Sequence, residues 1–352
     1  MVTLRQIRPL RLPQRFPAPA LLDSFGAVLI ALLCGALLLI VTGHDPVLAY
    51  REWVERAILR PAGWQETLVR ATPLLFAGLA VLLAMRAGAW NIGIDGQVLT
   101  GALAAAIAAD WFGGDHRVPL WIIAAVAGLV TGALWAIIPA LLRGRYGINE
   151  IVTTIMFNYI AMFVTAWLVK GPLGDPDVVL PQTRLIPRDL RLITLGDTRV
   201  HIGLIMAIAL VLVGGLFLNR TVAGFELTAT GASPRAARHG QIPTGKYITG
   251  ALIGSGAIAA LAGVNDVLST KGVFQGEWNP EYGLVAFALV FLGQRSIIGL
   301  FPAALFFGQL SYAADVMPRA AGIAPAFFPT IEGALLITLA VTVWIRHQRG
   351  KR

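Results

Sequence analysis

The sequence predicts an all-α, polytopic membrane protein with about ten transmembrane helices and both termini in the cytoplasm. The chain of 352 residues is 57% hydrophobic and only 13% charged, whereas a soluble globular domain has roughly 25% charged residues. Its mean hydropathy is +0.72. The apolar residues gather in runs of roughly 20, the length that crosses about 30 Å of hydrocarbon. These observations exclude an ordinary soluble domain.

Ten apolar segments are predicted to span the membrane. They lie near residues 24–43, 67–86, 93–110, 119–141, 150–169, 202–219, 247–266, 283–297, 299–316 and 326–345. The third is interrupted by polar residues, and the eighth and ninth are short and almost fused. These three therefore have the least distinct bounds.

The positions of lysine and arginine predict the topology. With the N-terminus in the cytoplasm, the inner segments receive 16 of the 28 basic residues, as the positive-inside rule requires. A basic cytoplasmic segment (residues 1–23) would precede a single transmembrane domain (residues 24–345), and a basic cytoplasmic tail (residues 346–352) would follow it. This distribution explains the net charge of +9 without nucleic acid as a partner.

A short basic segment between two apolar runs, Gly231–Ile242, has the pattern of an isolated helix. Ser233 is a suitable N-cap, Pro234 fits the first helical position and Gly240 can end the helix. A helix of about six residues is too short to be stable alone. We expect it to dock into another protein on the cytoplasmic side; the alternative is a plain basic inner loop.

Polar residues among glycines mark the start of the third span, where Asn91, Asp95 and Gln97 alternate with Gly93 and Gly96. Non-helical backbone at membrane depth is tolerated only against protein or beside a water-filled path, and a carboxylate in lipid is costly. Two interpretations follow. The segment is either a structural turn with satisfied polar groups or part of a gate or substrate path.

The fifth span begins with Asn149 and Glu150 and places two further polar residues on one helical face, Thr154 and Asn158. Asn158 either hydrogen-bonds a neighbouring helix or lines a translocation path, where an amide suits a polar, neutral cargo. Asn265, at the outer end of the seventh span, is a candidate for the entrance of that path.

Small residues four apart occur in two spans, as Gly128 with Gly132 and as Gly250 with Gly254. This spacing lets helix backbones approach closely. Both pairs therefore predict helix–helix contacts within the bundle.

No residue pattern predicts a bound metal, cofactor or nucleotide. The single cysteine, Cys34, lies in an apolar run and the five histidines are scattered, so no ligand spacing is present. The segment GQIPTGKY (240–247) has Tyr247 where a phosphate-binding loop needs serine or threonine. We expect a protein that is not an enzyme.

Four segments carry a resemblance to a known family: NIGIDGQ (91–97), GINEIVTTIMFNYIA (147–161), GFELTATGASPRAARHGQI (224–242) and YGLVAFALVFLG (282–293). Together they resemble the membrane-spanning permease subunits of bacterial ATP-binding-cassette (ABC) importers for nucleosides and related purine or flavin compounds. That group is related to the simple-sugar and branched-chain amino acid permeases. The resemblance runs from about residue 68 to residue 343 and implies a multi-pass protein of the bacterial plasma membrane.

The resemblance also implies partners. These are a cytoplasmic ABC ATPase that hydrolyses the ATP, a second related permease, an extracytoplasmic solute-binding protein and a small polar solute. The loop at about 220–246 would hold the coupling helix, lodged in a cleft of the ATPase. Its contact residues would be Gly231, Ser233, Pro234, Arg235, Ala236, Ala237 and Arg238, with the alanines permitting close approach and the arginines pairing with acidic residues.

Other functions fit parts of the sequence. Riboflavin-like compounds or a simple sugar could replace nucleosides as cargo. A secondary transporter driven by an ion gradient would need ionisable groups near mid-membrane. Glu332, about seven residues into the last span, is the group on which that alternative rests.

Overall fold

The computed structural model describes residues 18–113, 119–324 and 327–349. Most of the basic N-terminal segment and the last three residues of the tail lie outside these ranges. Within them the chain forms thirteen α-helices, with isolated β-bridges only at Gln182–Gln275 and Thr194–His201. The all-α prediction is confirmed.

The helices follow one another along the chain with short connections, apart from the irregular segment between α6 and α7. They are α1 (Ala18–Val41), α2 (Pro46–Trp53), α3 (Pro61–Arg86), α4 (Ile94–Phe112), α5 (Leu120–Tyr146), α6 (Glu150–Lys170), α7 (Ile202–Arg220), α8 (Val222–Ala232), α9 (Pro234–His239), α10 (Thr244–Asp266), α11 (Tyr282–Leu292), α12 (Ile297–Ala321) and α13 (Phe327–Arg349). Single π-helical turns extend α2 and α10, at Val54–Leu59 and Val267–Lys271.

Local sequence explains where several helices begin and end. Proline, which is pre-organised for the first helical turn, begins α2, α3 and α9. Asn149 caps α6, its Oδ1 accepting a hydrogen bond from the Ile151 amide at 2.9 Å. Gly147 ends α5 in the left-handed region, at φ 69°, where a residue without Cβ meets no steric penalty.

Each of the ten predicted spans contains a helix, but not every helix is long enough to cross a membrane. Seven in the described ranges have the required length and apolarity: α1, α3, α5, α6, α7, α10 and α12. Helix α4 has 19 residues and carries Asp95, Gln97 and Asp110. The apolar part of α13, Phe327–Thr342, is shorter. The count of ten spans stays a prediction.

The eighth predicted span, 283–297, needs correction. Helix α11 has only 11 residues and is therefore about 16 Å long, roughly half of the hydrocarbon thickness. It ends at Gly293, whose backbone is so close to α12 that a Cβ there would lie 2.7 Å from the Gly299 carbonyl oxygen. The two residues that follow, Gln294 and Arg295, both have φ 53°, which reverses the chain directly into α12.

Helices α3, α10 and α12 form the centre of the bundle. In α3, 72% of the spanning window is buried, against 56% for α10 and 50% for α12; the values for α5 and α6 are only 22% and 17%. The outer helices thus present most of their apolar side chains away from the chain itself. This is the arrangement expected when lipid or a second subunit covers them.

Small residues let α10 pack tightly against α4 and α5. A Cβ on Gly132 would lie 2.3 Å from the Gly256 carbonyl oxygen, and one on Gly101 would lie 2.3 Å from that of Ala260. The contact predicted for Gly128 and Gly132 is confirmed. The one predicted for Gly250 is wrong, because a Cβ there meets nothing within 4 Å.

One end of the bundle, here called the α9 end, collects α9 and its neighbours. Gly231 at the end of α8 contacts the end of α3, and Gly144 near the end of α5 contacts Gly245 near the start of α10. At the same end, Gln294 donates a hydrogen bond to Ser24 near the start of α1, at 2.9 Å. The α9 end is the one that the basic residues predict to be cytoplasmic.

Candidate functional site

The segment singled out between α8 and α10 forms the short helix that its sequence predicts. Ser233 is the N-cap, with its Oγ accepting a hydrogen bond from the Ala236 amide at 3.3 Å and its carbonyl accepting one from the Ala237 amide at 2.9 Å. Pro234 occupies the first helical position, and Gly240 ends the helix. The backbone of α9 is therefore satisfied locally, as capped helix ends require.

Helix α9 presents most of its side chains outward. Arg235, Ala236 and Arg238 are exposed, and neither arginine forms an ion pair or side-chain hydrogen bond within the described ranges. Ala237 is different, because only 5% of it is exposed. The expectation that both alanines meet a partner therefore holds geometrically only for Ala236, whereas Ala237 anchors α9 to its own chain.

Gly231 joins this segment to the end of α3. A Cβ on Gly231 would lie 2.3 Å from the Arg86 carbonyl oxygen and 2.7 Å from the Gly88 nitrogen. Gly88 itself has φ 75°, a conformation that favours glycine. The backbone at the end of α8, just before α9, therefore contacts the turn that leads from α3 to α4.

A second contact ties α8 to α10. The Tyr247 hydroxyl donates a short hydrogen bond to the Glu226 carboxylate, which bridges the two helices that flank α9. Sequence analysis noted Tyr247 for another reason and did not predict its contact with Glu226. A glutamate in an otherwise apolar stretch, 21 positions before a tyrosine, carries no spacing signal that would pair them.

The loop between α3 and α4 contains a closed polar cluster. Asn91 Nδ2 donates to Gln97 Oε1 and to Ser255 Oγ, both at 2.8 Å, and Asn91 Oδ1 accepts from the Gly93 amide at 3.0 Å. Ser255 in turn donates to the Ala80 carbonyl at 2.7 Å. Asn91 is 1% exposed and Gln97 is 2% exposed, so the cluster ties α3, α4 and α10 together out of reach of solvent.

The polar face of α6 serves the same loop. Asn158 Oδ1 accepts from the Gly96 amide and its Nδ2 donates to the Ile92 carbonyl, both at 2.8 Å. Thr154 is buried and donates to the Glu150 carbonyl at 2.6 Å. Asn158 therefore satisfies the Ile92 carbonyl and the Gly96 amide, two groups around the start of α4 that lack helical partners. A place for Asn158 on the translocation path stays a prediction.

Glu150 connects three elements at the α9 end. Its Oε2 forms an ion pair with Arg143 Nε at 3.1 Å, and its Oε1 accepts a hydrogen bond from the Trp90 amide at 3.2 Å. The Trp90 ring stacks on Phe287 of α11, with 5.7 Å between ring centroids, and lies 6.1 Å from the ring of Phe291. Trp90 therefore links the α3–α4 loop to the half-length helix α11.

Asp95 holds the other end of α11. Its Oδ1 accepts a hydrogen bond from the Gly283 amide at 2.7 Å, so a carboxylate lies at the positive end of the α11 helix dipole. Beside it, the Tyr282 hydroxyl donates to Asp266 Oδ2 at 2.6 Å. The half-buried Asp95 and the buried Asp266 both avoid the cost of a carboxylate in lipid by such contacts.

Asn265 lies beside these groups but on another face of α10. It is 5% exposed, and a Cβ on Gly203 of α7 would lie 2.1 Å from its Oδ1. The side chain therefore occupies the space that Gly203 leaves open. The structure thus brings Asn91, Gln97, Thr154 and Asn158 together around one loop and keeps Asn265 apart.

The chain matches the family of permease components of branched-chain amino acid transport systems over residues 64–341. It belongs to that family. The protein is accordingly an integral membrane permease subunit of an ABC transporter and not an enzyme. In general, permeases of this kind work with an ATPase and a substrate-binding protein.

Three relatives of the permease span most of its length. The glucose ABC transporter permease protein TsgB13 of Haloferax volcanii is 32% identical, covering 97% of this chain and 93% of the relative. The guanosine ABC transporter permease protein NupP of Bacillus subtilis is 31% identical, covering 92% and 94%. The nucleoside ABC transporter permease protein NupB of Lactococcus lactis is 29% identical, covering 90% and 89%.

The ion-gradient alternative rests on Glu332. Glu332 on α13 is half-buried, and it forms no ion pair in the part of the chain that the structure describes. No group of three or more histidine, cysteine or acidic residues that could hold a metal ion occurs there either. The family match favours ATP-driven transport over the ion-gradient alternative.

Proposed function

We propose that this permease forms half of the translocation pathway of an importer for nucleosides or closely related small polar solutes. A second, related permease would supply the other half. An extracytoplasmic solute-binding protein would deliver the cargo, and cytoplasmic ABC ATPases would bind and hydrolyse the ATP. The chain itself would bind no cofactor.

The observation that carries the proposal is the geometry of α9. Arg235, Ala236 and Arg238 stand exposed on a helix that is capped at both ends and seated on its own chain only through Ala237. Such a helix can enter a cleft without unfolding. Its two arginines have no partner among the described residues, which leaves their guanidinium groups free to pair with carboxylates of an ATPase.

The contacts behind α9 supply a route for movement. Gly231 touches the turn at Arg86–Gly88, and two residues later Trp90 stacks on α11. The far end of α11 is held by Asp95. ATP-driven displacement of α9 would therefore shift α11, a short helix that ends within the bundle. This is a rigid-body switch between two arrangements of packed elements.

Nucleosides are the first choice of cargo because two of the three relatives, NupP and NupB, are named for guanosine and nucleosides, and each aligns with at least 90% of the chain. A simple sugar is the second candidate, since TsgB13, named for glucose, aligns over 97% of it. Both are neutral and polar. Asp95 is the half-buried carboxylate on this route and our candidate for the gate.

The experiment that tests the proposal is uptake of labelled guanosine by the complete complex reconstituted in vesicles, with and without ATP. Unlabelled adenosine, uridine, riboflavin, glucose and ribose serve as competitors. ATP-dependent uptake that nucleosides block is the expected result. ATP-dependent uptake of glucose without guanosine uptake would overturn the cargo, and uptake indifferent to ATP would overturn the mechanism.

A further inference from the structure

A crevice of about 450 Å³ opens at the α9 end of the bundle, between α3, α7, α8 and α10. Its walls are almost entirely apolar. The side chains that form them include Leu83, Phe217, Leu227, Pro243 and Tyr247. The crevice therefore lies directly behind the α8–α9 segment, on the flank of α10 that faces neither α4 nor α5.

Two glycines of α10 create this space. A Cβ on Gly250 would meet nothing within 4 Å, and one on Gly254 would meet only the Leu83 Cδ2 atom, at 3.3 Å. The next glycine, Gly256, is packed hard against α5, where a Cβ would lie 2.6 Å from the Gly132 carbonyl oxygen. The spacing of Gly250 and Gly254 is that of a close helix contact, yet no helix within residues 18–113, 119–324 and 327–349 fills this space.

The length and charge of the crevice indicate what fills it. From Lys246 to Gly254 it follows α10 over nine residues, a rise of about 12 Å, which suits the upper part of a lipid chain. Lys246 is exposed at its mouth, and Arg220 is exposed three residues after Phe217, on the same side of α7. Neither cation has a side-chain partner among the described residues, while nearby Glu226 is engaged by Tyr247.

We propose that this crevice binds one acyl chain of an anionic phospholipid of the cytoplasmic leaflet, with the headgroup phosphate between Lys246 and Arg220. An apolar slot that has the exposed Lys246 at its mouth, with the exposed Arg220 three residues beyond Phe217 of its wall, matches the two parts of such a lipid. The chain would rest against Leu227 of α8 and Tyr247 of α10. The bound lipid would thereby brace the segment that carries α9, a role separate from the choice of cargo.

The test is native mass spectrometry of the purified permease, released from nanodiscs that contain equal amounts of phosphatidylglycerol and phosphatidylcholine. Gly250→Phe fills the crevice and removes a poor helix former. The matched control is Gly333→Phe on α13, where a Cβ also meets nothing within 4 Å. We expect the wild type and the control to retain one phosphatidylglycerol. Gly250→Phe should retain it at least tenfold less often, and equal retention by all three would overturn the proposal.

A second variant tests the headgroup. Lys246→Gln should reduce the preference for phosphatidylglycerol over phosphatidylcholine several-fold, whereas Arg145→Gln, at an exposed arginine at the same end, should leave it unchanged. An unchanged preference in Lys246→Gln would overturn the anionic headgroup. Loss of the lipid on assembly with the other subunits would also contradict the proposal, since a protein segment would then fill the crevice. These measurements need neither ATP nor cargo, so their failure would leave the proposed function untouched.

Discussion

Helix α9 and the α3–α4 loop have a similar sequence pattern, because in both of them polar residues and glycines lie beside apolar spans. They differ in where their hydrogen bonds go. In α9 the caps satisfy the backbone, and Arg235 and Arg238 remain exposed. In the loop, Asn91 accepts a hydrogen bond from the Gly93 amide, and Asn158 of α6 hydrogen-bonds the backbone of Ile92 and Gly96. The first region can meet a partner, whereas the second holds the fold.

The largest effect expected from this difference is on the buried cluster. Asn91→Ala would remove the Asn91 partners of the Gln97 side-chain amide and of the Gly93 backbone amide, and each buried unsatisfied group costs about 1–3 kcal/mol. We expect a loss of roughly 3 kcal/mol or more. The apparent melting temperature of the detergent-solubilised permease measures it. Asn279→Ala, at an exposed asparagine, should change little, and a normal melting temperature for Asn91→Ala would show that the cluster is not structural.

The second-largest effect is expected when a substitution breaks the contact between the two regions. Gly231→Val would force the backbones of α8 and the Arg86–Gly88 turn apart, because even a Cβ lies 2.3 Å from the Arg86 oxygen. We expect the complex to assemble and hydrolyse ATP while uptake falls at least tenfold. Gly240→Ala is the control in the same segment, since its Cβ would make an ordinary contact at 3.4 Å. Uptake equal in both variants would remove Gly231 from the route.

A smaller effect is expected at Trp90, where the route passes to α11. Trp90→Ala removes the ring that stacks on Phe287, a contact worth about 0.5–1.5 kcal/mol beyond the area it buries. Uptake should fall several-fold with ATP hydrolysis retained. Trp90→Phe should restore much of the uptake because it keeps an aromatic ring. Trp111→Ala, at a ring that is 70% exposed, should behave like the wild type; a matching loss there would make the effect non-specific.

The smallest effect concerns the ion pair of Glu150. Glu150→Gln keeps an acceptor for the Trp90 amide but loses the charge opposite Arg143, which is 31% exposed. The Glu150 side chain is only 6% exposed, but Arg143 can still be solvated after the charge is lost, so the cost should be about 1 kcal/mol, the upper end for solvent-accessible pairs. The melting temperature should drop slightly and uptake should remain near normal. A collapse of either would mean that Glu150 takes part in transport directly.

Much of the fold could be predicted because its signals are local. Apolar runs located a helix within every expected span, and Ser233, Pro234 and Gly240 located α9 almost to the residue. The short length of α11, about half of a membrane span, was not predicted from these local signals. The predicted span ran on to residue 297 across the polar residues Gln294, Arg295 and Ser296, whereas the positive φ of Gln294 and Arg295 ends α11 there and turns the chain into α12.

The site was harder to predict because its pairings are distant along the chain. Asn91 and Ser255 are 164 residues apart and Asp95 and Gly283 are 188 apart, and no spacing rule joins them. The sequence showed that these residues were unusual without showing which groups satisfied them. Ser255, a polar residue between two glycines in mid-span, was the available signal for the cluster. The crevice at Gly250 could not be predicted, because a glycine pair that packs against a helix and one that leaves a crevice open have the same spacing in the sequence.

The most direct test of the central claim measures uptake and ATP hydrolysis together in the reconstituted complex carrying Arg235→Glu in α9. Arg145→Glu makes the same charge change at the same end of the bundle, outside α9, and serves as the control. The account predicts a well-folded Arg235→Glu permease whose uptake falls at least tenfold, while the control transports normally. Wild-type uptake and ATP hydrolysis by Arg235→Glu, and likewise by Ala236→Trp, would contradict the assignment of α9 as the coupling helix.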